Sequence, residues 1–161
     1  MKEISENLFI GNINDLNNIS VDEFAIVHLS QSIHYRIMGW NWTTNKPPRD
    51  HPNYIMWEKE NRLSLNWVDG TAKLYEWSGP QTFIHVLDFI DKWISTKKVF
   101  IHCDQGFSRS PMLGMLYLAK RRKTISNMSY ESAVQDFKKI YSMFQPGGIG
   151  DYVNQHWVEI I

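Results

Sequence analysis

The sequence predicts an α/β fold with a central, mostly parallel sheet flanked by helices. Short apolar segments of strand length alternate with segments of helical periodicity early in the chain, and helices follow one another towards its end. The length of 161 residues suits a single domain over residues 1–161, which is large enough to bury a core without disulfides.

Four segments are predicted as strands. Leu8–Ile10 is a short apolar run that ends at Gly11, and Phe24–Leu29 reads as a buried strand. Arg62–Trp67 alternates polar and apolar residues, as a half-buried strand does. Val99–His102 follows two lysines and has the composition of a central strand that is covered on both faces.

Four segments have the periodicity or the end signals of helices. Pro80 suits a first helical turn, where its missing N–H costs nothing. Ser129 can cap a later helix, whose apolar stripe extends to Phe144 before a Pro-Gly-Gly segment ends it. The predicted helices cover residues 78–96, 110–122, 129–144 and 151 onward.

The segment from Gln31 to Asn61 has no clear period. It contains three tryptophans and three prolines. A connection of this length is unusual in a compact domain and is often functional. Its aromatic residues can line a substrate cleft or simply cover the edge of the sheet, and the sequence favours neither interpretation.

The charges of the chain are balanced, with 17 Lys and Arg residues against 17 Asp and Glu residues. A strongly basic nucleic-acid-binding protein and an acidic disordered protein are therefore excluded as the default. The basic run Lys120–Lys123 can form an anion-binding patch, but it also stands at a helix end, where positive charge is favourable. We favour the second interpretation and expect no nucleic-acid partner.

No segment is predicted to direct the chain to a membrane. Residues 1–7 lack the apolar region of a signal peptide. The longest apolar stretch, around Met112–Ala119, is much shorter than the ~20 residues that span a bilayer. We therefore expect a cytoplasmic protein without a membrane partner.

Cys103 is the only cysteine, so it forms no intrachain disulfide and no cysteine-rich zinc site. It is therefore either a small buried apolar group or a reactive thiol. Cys103 follows the predicted strand Val99–His102 and precedes a glycine-containing loop and the start of a helix. Parallel α/β sheets bind ligands at this place.

The loop after Cys103 is expected to bind a dianion such as phosphate. Its inward-pointing N–H groups and the positive end of the following helix both favour an anion. The same groups would stabilise a thiolate, and cysteines in such settings titrate at about 3.5–7.5 instead of about 8.5. The predicted phosphate-binding residues of the loop are Asp104, Gln105, Gly106, Phe107 and Ser108.

Two residues beyond the loop complete a candidate site for phosphoryl transfer. Arg109 carries a guanidinium whose planar fork fits two phosphoryl oxygens and can stabilise them during transfer. Ser110 can donate a hydrogen bond to the sulfur. Cys103 is therefore predicted to be the nucleophile.

Cleavage of a phosphate ester also needs an acid that protonates the leaving oxygen. Asp69 is the best candidate, because it follows the predicted strand Arg62–Trp67 and so lies at the carboxyl end of a strand. The next residue, Gly70, permits a mobile loop. We predict that Asp69 is the general acid.

The other carboxylates of this part of the chain are weaker candidates. Asp88 and Asp91 lie in a predicted helix and are expected to face solvent, and Asp50 lies in the irregular segment. Asp104 belongs to the loop itself. Its side chain is expected to point outward, since a carboxylate would repel a bound phosphate.

The segment His102–Ser110, His-Cys-Asp-Gln-Gly-Phe-Ser-Arg-Ser, resembles the signature loop of the cysteine-dependent protein tyrosine phosphatases, Cys-x5-Arg-Ser/Thr. Its Ser-Arg-Ser ending is most similar to the dual-specificity branch. The similarity extends over nearly the whole chain. It includes the opening strand Leu8–Gly11, the acid loop Trp67–Asp69, and the helical segments Leu116–Arg121 and Tyr130–Phe144.

This resemblance implies a phosphatase that needs no metal and no other cofactor. Cys103 would form a cysteinyl-phosphate intermediate, and Asp69 would act first as acid and then as base toward water. His102 would order the loop through hydrogen bonds without touching the substrate. The expected partner is a phosphorylated protein or peptide, with phosphotyrosine and also phosphoserine or phosphothreonine as the hydrolysed group.

The chain departs from the family pattern in three places. Gln105 replaces a residue that is commonly small, which affects the positioning of water. The segment 31–61 is longer than in minimal members, so their substrate recognition does not carry over. The tail Gly147–Gly150 differs from the usual closing turn.

Two other functions are compatible with the same residues. A phosphatase of a phosphoinositide or an RNA 5′-phosphate would use the same fold, but such relatives carry basic residues where this loop has Asp104 and Phe107. A phosphopeptide-binding module without catalysis would be expected to have lost Cys103, Arg109 or Asp69. A low-molecular-weight phosphatase or an arsenate reductase fits less well, since their cysteine loop lies near the amino terminus.

The remaining histidines do not have the spacing of metal ligands and are expected to pack in the core or lie at the surface. They are His28, His34, His51, His85 and His156. We therefore predict no metal site.

Overall fold

The computed structural model describes residues 1–161 as one six-stranded sheet with five α-helices and short helical turns. The strands are β1 (Lys2–Ser5), β2 (Leu8–Asn12), β3 (Phe24–His28), β4 (Met56–Lys59), β5 (Arg62–Leu65) and β6 (Lys98–Cys103). The helices are α1 (Gln31–Met38), α2 (Gly79–Trp93), α3 (Arg109–Tyr117), α4 (Tyr130–Ile140) and α5 (Gly147–Gln155). None of the helices is both long enough and apolar enough to cross a membrane.

The sheet has the strand order β1-β2-β6-β3-β5-β4, and its four central strands are parallel. The two edge strands, β1 and β4, run antiparallel to their neighbours. The predicted α/β class with a mostly parallel sheet is therefore confirmed. Because β2, β6, β3 and β5 are parallel, their carboxyl ends meet at one edge of the sheet.

The main core lies on one face of the sheet, where α2 and α3 pack against the central strands. The opposite face carries a smaller apolar cluster of Phe24, Ile26 and Phe100. β6 is buried on both faces, as its sequence predicts, and only its first residue, Lys98, is exposed. The strand that ends at Cys103 is therefore held on both sides.

All four predicted helices are present, but α2 and α4 end earlier than predicted and the last helix begins earlier. α2 has Pro80 in its first turn, and α3 continues through a wider helical turn to Arg122. Ser129 caps α4 by accepting the N–H of Ser132, as predicted, but the helix ends at Ile140. Residues 141–145 lie outside the helix and contact the loop after Cys103. The last part of the predicted apolar stripe therefore packs against that loop.

The last helix begins at Gly147 and not at Asp151, so the expectation that residues 146–148 only end a helix was wrong. Gly148 lies against the backbone of Gly70, and an added Cβ would be 1.8 Å from the Gly70 carbonyl oxygen. The two glycines therefore form a first helical turn that lies close to another chain segment. Helix propensity does not predict a close contact of this kind between distant segments.

The segment 31–61 contains two elements that its sequence did not reveal, α1 and β4. α1 ends at Gly39, whose φ of +71° is favourable only for glycine. Trp40 packs against His34, Tyr35, His51 and Tyr54 in one aromatic cluster. These aromatic residues therefore pack against one another, and Tyr54 also lines a cleft that is described below.

The basic run after α3 makes contacts within the chain. Arg121 pairs with the exposed Asp88 and Asp91 of α2, and the ammonium of Lys120 lies 3.9 Å from the ring centre of Trp157. Arg122 donates to the carbonyl of Glu6. These cations therefore bind the end of α3 to the rest of the fold.

Candidate active site

Cys103 ends β6, and its thiol lies inside the loop that leads to α3. The side chain is buried, and Sγ lies 3.3 Å from the backbone nitrogen of Gly106 and 3.3 Å from Oγ of Ser110. The Gly106 N–H donates to the sulfur, which favours negative charge there. The sulfur therefore lies where an anion is stabilised by the loop.

Gly106 is required by the shape of the loop. Its φ is +77°, and an added Cβ would lie 3.2 Å from the backbone carbon and oxygen of Gly11. The loop thus packs directly on the end of β2. A side chain at this position would push the loop away from β2 and would move the N–H that donates to the sulfur.

The segment after α4 supports the loop from behind. The hydroxyl of Tyr141 donates to the Gly106 carbonyl at 2.8 Å, and Ser108 Oγ donates to the Pro146 carbonyl at 2.9 Å. The N–H of Gln145 donates to the Phe107 carbonyl at 2.7 Å. Sequence reasoning missed this support, although a tyrosine at the end of an apolar stripe is a signal for it.

The Ser110 hydroxyl can donate its one hydrogen to either of two acceptors. In the structure it donates to the Gly11 carbonyl at 2.9 Å, with Cys103 Sγ 3.3 Å away. A protonated thiol can therefore donate to Oγ. A thiolate needs the hydroxyl hydrogen to turn to the sulfur, which releases the Gly11 carbonyl.

Arg109 is 1% exposed and holds its charge inside the site. Nη1 donates to the carbonyls of Leu29 at 2.7 Å and Trp67 at 2.8 Å. Burial opposes the charge, but the neighbouring charges of Asp69, Cys103 and Asp104 outweigh it and raise the pKa of Arg109. The guanidinium is therefore a permanent cation whose charge interacts with that of Cys103.

The Asp104 side chain is half-exposed, as expected, but it is also held by contacts that the expectation did not include. Its Oδ2 accepts from Arg109 Nη2 at 3.2 Å, and its Oδ1 accepts from Ser30 Oγ at 2.5 Å. The expectation considered only repulsion from a bound phosphate. Attraction to the buried cation and the hydroxyl of Ser30 determines where the carboxylate lies.

Asp69 is the second carboxylate that contacts Arg109, and it lies in the segment that follows β5. Its Oδ2 accepts from Arg109 Nη2 at 3.3 Å, and its Oδ1 lies 3.3 Å from Arg109 Nε. That second contact lacks the geometry of a hydrogen bond, so the buried Nε–H has no acceptor. An ion pair at 3.3 Å does not satisfy a misaligned donor.

The loop that carries Asp69 is fixed at its base. Trp67 Nε1 donates to Ser78 Oγ at 2.7 Å, and the Tyr75 hydroxyl donates to the Val68 carbonyl at 2.7 Å. Burial raises the pKa of Tyr75, so this hydroxyl keeps its proton at neutral pH. The Asp69 side chain itself is half-exposed, as a group that meets a substrate needs to be.

His102 lies behind the nucleophile, in contact with a second buried histidine. Its Nε2 is 2.6 Å from Nδ1 of His28, and its Nδ1 is 3.3 Å from the carbonyl oxygen of Cys103. Burial lowers the pKa of His102 to about 4 and that of His28 to about 2. Sequence reasoning expected His28 only to pack in the core or lie at the surface, although its place at the end of a parallel strand next to β6 was a signal.

A cleft of about 180 Å³ adjoins the Asp69 loop. Trp67, Val68 and Tyr75 from the loop region line it together with Tyr54 and Trp77. Part of the segment 31–61 thus lies beside the site. Asp50, Asp88 and Asp91 make no contact with Arg109, and no group of three or more potential metal ligands is present.

Comparison with known proteins adds information on the fold. No family model matches the chain, and no curated protein is significantly similar to it in sequence. Several solved structures share its architecture. Tk-PTP in its active form superposes with a TM-score of 0.60 and 16% sequence identity, over 99% of this chain and 97% of that one. The chain has the protein tyrosine phosphatase fold.

Two other structures with this fold differ in the function that their names describe. A human tyrosine phosphatase-like serine/threonine/tyrosine-interacting protein has a TM-score of 0.63 and 18% identity, over 99% of this chain and 96% of that one. The Yvh1 phosphatase domain from Chaetomium thermophilum has a TM-score of 0.59 and 18% identity, over 96% and 92% of the two chains. The resemblance drawn from the segment His102–Ser110 is therefore confirmed for the fold.

The two buried histidines predict a loss of stability in weak acid. Their pKa values in the folded protein, about 2 and about 4, lie below the unfolded value of 6.5. The unfolded state therefore binds more protons below pH 6.5. As the pH is lowered, the free energy of unfolding decreases by up to about 1.4 kcal/mol per pH unit for each histidine. Urea unfolding between about pH 7 and pH 5 measures this slope.

The matched variant for this measurement is His28→Asn, whose amide N–H replaces the Nδ1–H but does not titrate. We expect a shallower slope, because one of the two groups is removed while His34 stays in both proteins. Equal slopes in the native protein and the variant would contradict a lowered pKa of His28, because they would show that His28 binds protons equally in the folded and unfolded states.

Gly148→Ala is expected to destabilise the protein by about 1–3 kcal/mol, because the methyl group overlaps the Gly70 carbonyl. The gain in helix propensity, about 1 kcal/mol at most, does not offset this overlap. Asn154→Ala, at an exposed position of the same helix, is the control. An unfolding midpoint equal to that of the control would mean that α5 does not pack on the Asp69 loop as described.

Proposed function

We propose that the chain is a cysteine-dependent protein phosphatase that hydrolyses phosphotyrosine, with phosphoserine and phosphothreonine as further substrates. One observation carries the proposal. The buried Nε–H of Arg109 has no hydrogen-bond acceptor, and the charge of Cys103 is close enough to act on the guanidinium. An unpaired buried donor costs about 1–3 kcal/mol, and a phosphoryl oxygen would satisfy it.

The first step transfers the phosphoryl group to sulfur. The Cys103 thiolate attacks phosphorus and forms the S–P bond, while the P–O bond to the leaving group breaks. The protonated Asp69 carboxyl donates its proton to the leaving oxygen. Arg109 and the loop N–H groups, among them that of Gly106, stabilise the charge on the equatorial oxygens.

The second step releases phosphate. The Asp69 carboxylate now takes a proton from water, whose oxygen attacks phosphorus as the S–P bond breaks. Inorganic phosphate leaves and the thiolate is regenerated. The Ser110 hydroxyl supports both steps, since its hydrogen can turn from the Gly11 carbonyl to the sulfur when charge develops there.

Binding of the phosphoryl group would also place the acid. In the structure Asp69 faces the same guanidinium that a phosphoryl group would bind. Phosphoryl oxygens that occupy Nε and Nη2 would displace the carboxylate toward the leaving oxygen. Gly70, directly after Asp69, permits this small movement of the chain.

The charges around the loop favour a protein substrate over a polyanionic one. Arg109 is the only cation between Cys103 and Ser110, and it faces the carboxylates of both Asp69 and Asp104. A phosphoinositide or an RNA 5′-phosphate brings several negative charges, which these carboxylates would repel. A substrate with one phosphoryl group and a basic surrounding fits this arrangement better.

A binding module without catalysis is the other candidate, since one structure with this fold is named a phosphatase-like interacting protein. The fold alone therefore does not establish an enzyme. The support for catalysis is local: Cys103, Arg109 and Asp69 are all present and lie together. A module that only binds a phosphopeptide has no use for an acid beside a thiol.

The proposal predicts hydrolysis of phenyl phosphate and p-nitrophenyl phosphate by the protein in the presence of EDTA. Cys103→Ser should abolish turnover of both. Asp69→Asn should lower kcat/KM on phenyl phosphate by about 10²–10⁴-fold, because its leaving oxygen needs a proton in the first step. The loss of kcat/KM on p-nitrophenyl phosphate should be smaller, since p-nitrophenolate leaves without a proton.

Asp88→Asn is the control, because Asp88 is an exposed carboxylate that pairs with Arg121 away from the site. Its kcat should equal that of the native protein. Full activity of Cys103→Ser, loss of activity with EDTA, or an equal effect of Asp69→Asn on both substrates would each contradict the proposed chemistry.

Asp104 predicts a preference for basic sequences around the phosphorylated residue. Phosphotyrosine peptides flanked by Arg and Lys should have kcat/KM values about 5–10-fold above those of matched peptides flanked by Glu and Asp, or about 1–1.4 kcal/mol. Asp104→Asn should reduce this ratio, because it removes one of the two carboxylates at Arg109. An unchanged ratio would show that Asp104 does not face the bound peptide.

A further inference from the structure

A row of side chains on one face of the sheet connects Arg62 to the nucleophile. His28 of β3 and His102 of β6 are paired in register, and Arg62 projects from β5 on the other side of β3. His28 Nε2 lies 3.2 Å from Arg62 Nε and 3.1 Å from its Nη2. The row continues from His28 Nδ1 to His102 Nε2 at 2.6 Å, and from His102 Nδ1 to the Cys103 carbonyl at 3.3 Å.

The hydrogen bonds of this row can point in only one direction. A guanidinium has donors and no acceptor, so His28 Nε2 must accept. A neutral His28 then carries its proton on Nδ1 and donates it to His102 Nε2. His102 in turn carries its proton on Nδ1, where the only partner is a carbonyl, which can only accept.

Both rings are neutral, which this direction requires. His28 and His102 are 2% and 0% exposed, and burial lowers the pKa of each. The other titratable groups that face them do not change this. His28 also faces His34 of α1, and His102 faces Asp104, Arg109 and Asp15.

We propose that Arg62 and His28 are positioning residues for Cys103: their hydrogen bonds fix the tautomer of His102, and thereby the orientation of the Cys103 carbonyl. The inference rests on the proposed function, because only a reactive thiol needs such precision. Neither residue touches the substrate. They act from the opposite side of the sheet, through His102.

The reason lies in the alternative tautomer. If the proton of His102 moved to Nε2, the lone pair of Nδ1 would face the lone pairs of the Cys103 carbonyl. The carbonyl would turn away, and it is joined by one peptide bond to Asp104, the first residue of the loop. The Gly106 N–H would then no longer meet Sγ at 3.3 Å.

Histidine ¹⁵N NMR on the native protein tests the direction of the row without any assay of activity. The ring nitrogen shifts distinguish a protonated Nδ1 from a protonated Nε2. We expect His28 and His102 both to carry the proton on Nδ1 near neutral pH. A proton on Nε2 of either ring overturns the proposal, whether or not the protein is a phosphatase.

Variants test whether the row acts on the thiol. His28→Phe keeps an aromatic ring against His102 but removes the donor, whereas His28→Asn places an amide N–H where Nδ1–H was. Arg62→Met removes the donor to His28, and Arg62→Lys keeps one. Arg36→Met is the matched control, since Arg36 lines the same groove as Arg62 but does not bond to His28.

The measured quantity is the rate of Cys103 alkylation by iodoacetamide as a function of pH. His28→Phe and Arg62→Met should shift the midpoint upward by about half a pH unit or more, and should lower kcat without raising KM. His28→Asn, Arg62→Lys and the control should keep the native midpoint. Circular dichroism selects the variants that fold, and the NMR result stands if none does.

Two outcomes contradict the proposal. Correct tautomers with an unchanged alkylation midpoint in both disruptive variants would show that the row is structural only. An equal shift in the control would show that the loss of any nearby cation matters, and not the hydrogen bond to His28. If Cys103 is not alkylated at any pH, the proposed function fails, while the tautomers still decide this inference.

Discussion

The buried charge of Arg109 is the constraint on which the candidate site depends. A guanidinium away from water is costly unless it is paired and hydrogen-bonded. Here the carbonyls of Leu29 and Trp67 and the carboxylates of Asp69 and Asp104 share that task. These groups come from the segments that follow the parallel strands β3 and β5 and from the loop that follows a third parallel strand, β6. One cation therefore holds together the segments that carry the thiol and the acid.

Two networks of different character meet at Cys103. In front of it lies a charged one, with one cation and two carboxylates that a dianion would have to rearrange. Behind it lies a neutral one, in which His102 and His28 are buried and donate in a single direction. In the charged network, Arg109 can exchange a carboxylate for a phosphoryl group during a reaction. The second is suited to keep the backbone of Cys103 still while that exchange takes place.

The sequence predicted the parts of this arrangement that depend on local pattern. The strand before Cys103, the glycine in the loop and the helix after it follow from periodicity and from the needs of an anion site. The position of Asp104 did not, since it depends on an attraction to Arg109 that only the folded chain reveals. The first turn of α5 was missed for a similar reason, because Gly148 is needed only where Gly70 comes close.

Identification of the phosphorylated residue in a trapped intermediate tests the account most directly. Asp69→Asn turns over p-nitrophenyl phosphate slowly in the second step, because the base toward water is missing. After a rapid acid quench, peptide mass spectrometry should find one phosphoryl group on the peptide that contains Cys103. Release of p-nitrophenol with no phosphoryl group on that peptide, or with one on another residue, would contradict a nucleophilic role for Cys103.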